Sequence, residues 1–157
     1  MDDVARQWAG DPDVTEMTDV DLTASRRDNS NVSDPSRELH RLAYTVMEHC
    51  DYPTISWTLD TALRVELARL IDTDTVSFGR DDFDIRYTIP QEGWYDEKDF
   101  PEIPLLDEED VDTSERGLNF SSVPVVLGMA DRVVHEQHYD SISATVKGGL
   151  QTLAGRR

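Results

Sequence analysis

Residues 58–89 read TLDTALRVELARLIDTDTVSFGRDDFDIRYTI, and this stretch decides the fold. Leu59, Ala62, Leu63, Leu67, Leu70 and Ile71 recur at helical spacing, whereas Val76, Phe78, Phe83, Ile85, Tyr87 and Ile89 alternate with polar residues. The apolar period drops from about 3.6 to 2 within a few residues, as it does where a helix gives way to strands. Gly79-Arg80-Asp81-Asp82 reads as the turn between two strands, and Pro90 ends the second. A two-stranded ribbon is marginal alone, so it needs the helices or a third strand.

Upstream, Asp34-Pro35 predicts the start of a helix: the carboxylate can cap free amides, and proline costs nothing in a first turn. Leu39, Leu42, Ala43, Val46, Met47 and Cys50 give that helix one apolar side. Cys50, the sole cysteine, excludes an intramolecular disulfide and reads as a small buried hydrophobe. Thr54 to Trp57 reads as short and extended, with Ser56 or Thr58 capping the second helix, which carries an Asp60–Arg64 pair at i, i+4. Downstream, Ser122 and Pro124 open a third helix running to about His138. Ser141 to Val146 alternates and is the candidate third strand, broken by Gly148-Gly149. The fold class expected is α+β, a small core of about three helices with a β-hairpin. Residues 1–33 form an extended acidic arm, and 34–157 a single domain with an acidic loop at 91–116.

Charge bounds the solvent and the partners. The 33 acidic side chains face only 15 basic ones, for a net charge of −18, and thirteen of the fifteen bases are arginine. Such a surface repels itself in dilute buffer, and molar salt screens the repulsion to a few ångströms. The pattern points to a halophilic system, against the plainer reading of an acidic protein with disordered tails. Stability that rises between dilute buffer and molar KCl separates the two. No window reaches the roughly 18 apolar residues that span a bilayer, and the start of the chain has no signal-peptide pattern, so a soluble protein made in the cytoplasm is expected.

Two segments carry anchors without enough apolar area to fold alone. Residues 1–33 are rich in Asp, Thr, Ser and Asn, with Trp8 as the outlying aromatic. Residues 91–116 hold eleven acids and two bases around Trp94, Tyr95, Phe100, Ile103, Leu105 and Leu106. Either their aromatics bind a partner while the charge keeps them in solution, or the segment folds back over the core. With the terminal Arg156 and Arg157, the candidate partner-binding residues are Trp8, Trp94, Tyr95, Phe100, Arg156 and Arg157.

Catalytic signatures are absent from the sequence: there is no Walker loop, no Gly-x-Gly-x-x-Gly and no nucleophile elbow. His135 and His138 share a helix face with Asp131 a turn earlier, but a metal wants three or four donors, and histidines at a helix end ordinarily meet its free carbonyls. No catalytic residue, cofactor or metal ligand is assigned. Arg64 and Arg69 on the second helix, with Arg80 at the ribbon tip, sketch a winged-helix DNA-binding module, which Asp72, Asp74, Asp81 and Asp82 disfavour.

The run Val123-Pro124-Val125-Val126-Leu127-Gly128-Met129-Ala130, then His138-Tyr139, Ser141-Ile142-Ser143 and Gly148-Gly149, resembles the small head-tail connector (adaptor) proteins of tailed viruses. The likeness covers about a quarter of the chain. It implies few helices, long arms, no catalytic residues and ring assembly against neighbouring virion proteins. The expectation is therefore a non-enzymatic structural or assembly protein of a halophilic system, a virion neck component in its narrowest form, whose partners are other protein subunits. A DNA-binding regulator is the alternative, and a small metal-dependent enzyme the third reading.

Overall fold

Asp34 accepts free amides ahead of the first helix, as its sequence predicts, but Pro35 lies in a turn before that helix rather than in its first turn. The computed structural model describes residues 29–79, 100–111 and 117–156. One carboxylate oxygen of Asp34 accepts the Ser36 amide at 3.1 Å and its hydroxyl at 2.9 Å, and the other accepts the Leu39 amide at 3.2 Å. Helix α1, Glu38–His49, follows, with Arg37 before it in the left-handed region at φ 65°.

Helix α2, Ile55–Asp72, is the centre of the molecule. The hydroxyl of Thr54 accepts the Trp57 amide at 3.0 Å, so the stretch expected to be extended is instead the cap and first turn of this helix. Threonine supplies the missing acceptor two residues before Ser56 and four before Thr58. Leu59, Ala62, Leu63, Val65, Leu67, Ala68, Leu70 and Ile71 are all buried, which covers α2 on more than one side, as its wide apolar surface requires. Buried Thr58 and Thr61 return their hydroxyls to the carbonyls of Thr54 and Trp57, so neither brings an unmet donor into the core.

Helix α3, Pro124–His135, begins with its proline in the first turn. Helix α4, Ile142–Leu153, occupies the stretch that alternation assigned to a third strand. Ser141 caps it through the Ala144 amide at 3.0 Å. Gly148 and Gly149 do not break it, because α4 lies so close to α2 that a Cβ on Gly149 would stand 1.8 Å from the Ala62 carbonyl oxygen. Glycine costs a helix roughly 1 kcal/mol relative to alanine, and here the close crossing offsets it.

Strands β1, Asn29–Ser33, and β2, Gly117–Ser121, form a two-stranded antiparallel sheet with Asn31 opposite Asn119 and Val32 opposite Leu118. Val32, Leu118 and Phe120 point into the core, β2 against α2 and β1 against α4, while Asn29, Asn31, Ser33, Asn119 and Ser121 face out. The class is α+β, with four helices and this ribbon among the described residues. The ribbon is built by the last residues assigned to the arm and by a segment 84 positions on, not by 76–89. Val76 and Phe78 are buried outside any strand, Gly79 takes φ 67°, and the second strand expected at 83–89 lies outside the described residues. Cys50 packs against the core but stays half-buried, and burial pushes its thiol up, away from the reactive thiolate.

Candidate interaction surface

Several ionisable groups of the interior are tied to one another. Glu66 is fully buried on α2, receives both Nε and Nη2 of Arg69 at 3.0 Å, and accepts the Tyr139 hydroxyl. Hydrogen bonding to that carboxylate raises Arg69, against the pull of burial. Arg64 donates to Asp60 at 2.9 Å, and the same oxygen of Asp60 takes the Ser122 hydroxyl at 2.6 Å. Lys147 of α4 reaches Asp34 at 3.2 Å and Glu38 at 3.0 Å. Burial pulls Asp34 upward, but the Ser36 side chain and amide, the Leu39 amide and Lys147 outweigh it and hold Asp34 at about 2. These groups are ties between elements, already matched in charge and donors, rather than an acid and a base held apart for chemistry.

Segment 100–111 is strapped across the ends of α1 and α4. Ile103 is buried; its amide donates to the Ala154 carbonyl at 3.0 Å, and its carbonyl accepts Nε and Nη2 of Arg156 at 3.2 and 2.8 Å. Arg156 also pairs with Glu102 at 3.4 Å. Three residues on, the Leu106 amide donates to Thr45 Oγ1 at 3.1 Å and its carbonyl accepts Arg41 Nε at 2.6 Å. Gly155, at φ 65°, lets the strap pass, since a Cβ there would meet the Pro101 carbonyl carbon at 2.3 Å. This part of the acidic segment thus folds back on its own domain. Phe100 packs half-buried against the core and Arg156 is engaged within the chain, whereas Trp8, Trp94, Tyr95 and Arg157 lie outside the described residues. A hollow of about 640 Å³ beside the strap is walled by charges of both signs, Arg37, Arg41, Glu38, Glu108 and Glu109.

His135 and His138 are exposed at the end of α3, where the His138 amide closes the turn on the Val133 carbonyl at 3.1 Å. Among the described residues no three His, Cys, Asp or Glu side chains gather as a metal site, and no helix is long and apolar enough to cross a membrane.

The opposite corner of the molecule has a different character. Ser56 Oγ accepts the Ser121 amide at 3.0 Å and Asp60 holds Ser122, which joins the start of α2 to the end of β2. The residues beside these serines, Trp57 and Val123, are 43% and 42% exposed, the large apolar side chains most open to solvent among the described residues. Residues 29–33, 52–59 and 117–130 contain no charged residue at all, in a chain that is 31% charged. A groove of about 430 Å³ runs here, lined by Asn29, Ser56, Asn119, Phe120 and Ser121. Depletion of charge around an exposed tryptophan is the composition of an interface core. Neither Trp57 nor Val123 was among the candidates from sequence; the signal that finds them is the clustering of uncharged runs, which only the fold brings to one corner. No family model, curated protein or solved structure matches the chain.

Proposed function

We propose that the chain is a non-enzymatic assembly component that works by protein–protein contact in strong salt. The observation that carries this reading is the uncharged corner with Trp57 and Val123 exposed on a chain of net charge −18. Elsewhere the acidic surface repels a second acidic protein, and at this corner that repulsion is least. The internal pairing of Glu66, Asp60 and Asp34 supports the same reading, because it spends on architecture the groups that acid–base chemistry would need. The resemblance to head-tail connectors narrows the proposal to a virion neck component assembled as a ring.

The DNA-binding alternative loses support at α2. A phosphate-contacting face would need Arg64 and Arg69, and these already bond Asp60 and Glu66. Light scattering coupled to size exclusion in molar KCl tests the proposal. A particle larger than the monomer is expected, and Trp57→Ser should diminish it without unfolding the chain. A monomer at every salt and protein concentration contradicts the proposal.

A further inference from the structure

Resting on that reading, we infer that the contact is an isologous one between two copies of this chain, made by the outer edge of β2 around Asn119. The register identifies which backbone groups are free to make it. Ser33 donates its amide outward to Ser143 Oγ at 3.0 Å, and Ser121 donates outward to Ser56 Oγ at 3.0 Å. In an antiparallel pair the two kinds of opposed residues alternate, so the pairs 29/121, 31/119 and 33/117 are those that do not exchange ladder bonds. Asn31 and Asn119 therefore turn their amide and carbonyl away from each other. The short distance between side chains that such a pair allows is present, with Asn31 Nδ2 donating to Asn119 Oδ1 at 2.7 Å. The outward amide and carbonyl of Asn119 then project from the side of β2 away from β1, where among the described residues no other strand pairs with it.

Free edges are ordinarily blunted by lysine, proline, a bulge or a covering element. Strand β2, Gly117–Ser121, reads Gly-Leu-Asn-Phe-Ser and carries none of these residue types. The groove that reaches Asn119 and Ser121 is also lined by Asn29 of β1 and by Ser56, which stands at the outer edge of β2. What fits is an extended strand that pairs by its main chain. The occupant is decided by charge. A second copy presents the same uncharged edge, so antiparallel pairing about a two-fold axis at Asn119 opposes neutral residue to neutral residue. Asn119 of each copy would exchange two main-chain hydrogen bonds with Asn119 of the other, a pairing confined to the middle of β2 because Ser56 holds the Ser121 amide, with Trp57 and Val123 flanking the junction. Such a contact closes on itself at two copies, so a ring would join these pairs through a further, heterologous contact. Because no ion pair holds the two-fold contact while acidic surfaces approach around it, its affinity should rise with salt rather than fall.

The test uses the full chain in molar KCl. A Cys50→Ser, Asn119→Cys variant should form a disulfide-linked dimer across the axis under mild oxidation, while Cys50→Ser, Asp72→Cys should not. Asn119→Pro removes the outward donor without removing a ladder bond and should weaken self-association roughly tenfold or more. Circular dichroism of both variants checks that the ribbon is retained. Wild-type assembly that persists in Asn119→Pro with no Asn119→Cys cross-link overturns this inference and leaves the assembly reading standing. A wild type that is monomeric throughout overturns both.

Discussion

Segment 100–106 and strand β2 are both short extended pieces laid against helices, yet only one of them is closed by the described residues of its own chain. The strap places Ile103 in the core, and its main chain is taken up on both sides: Ala154, Arg156, Thr45 and Arg41 each come to a backbone group at Ile103 or Leu106. Strand β2 places Leu118 and Phe120 in the core just as well, but among the described residues its outer edge meets a partner only at Ser121. Burial of side chains thus fixes where an extended segment lies, and the bonding of its outer backbone decides whether it is finished. Arg156, which reads from sequence as an outward-facing anchor, finishes the strap. The neutral edge, which carries no charge signal, is the unfinished one.

Both regions hang on the α2–α4 crossing, so its disruption should have the largest effect on each. Gly149→Ala forces the helices apart at Ala62 and should cost about 2–3 kcal/mol, measured by urea unfolding. Retained stability would mean that the crossing is looser than the structure has it. Arg156→Ala acts on the strap alone: with both guanidinium bonds to Ile103 gone, a loss of about 1–2 kcal/mol is expected, with self-association unchanged. If that variant also fails to assemble, the two regions are not separable. The smallest effect belongs to Asp34, which joins β1 to α1. Its carboxyl lies at about 2 instead of 3.8, so its stabilisation is complete above about pH 4 and is lost as pH falls toward 2. The difference in urea midpoint between wild type and Asp34→Ala should accordingly be present at pH 6 and close to zero at pH 2. A difference that is independent of pH would remove the charged cap from the account.

Much of the helical part was legible because its signals are local. Asp34, Pro124 and the apolar spacing of 39–50 and 59–71 mark helices through caps and periodicity, and these survive packing. Ser141 to Val146 misled because Ser-Ile-Ser-Ala-Thr-Val alternates like a strand and two glycines follow. Its helical state depends on the approach to Ala62, which no local pattern contains. The ribbon was missed for the opposite reason. Asn29–Ser33 has one apolar residue, Val32, and becomes a strand only by pairing with Gly117–Ser121, whose Leu118 and Phe120 do alternate. Within the candidate site, Phe100 and Arg156 were legible as residues with work to do but not as residues whose work is internal. Trp57 was read as part of an extended link, when the Thr54 cap in fact starts a helix that holds its ring at an open corner.

Amide hydrogen exchange resolved to single residues, in molar KCl at two protein concentrations, addresses the central contrast most directly. The Ile103 amide, bonded within the chain, should be equally protected at both concentrations. The Asn119 amide should exchange rapidly when the protein is dilute and become protected as it is concentrated. Exchange at Asn119 that stays the same at both concentrations, in a sample shown to contain the larger particle, would contradict the account.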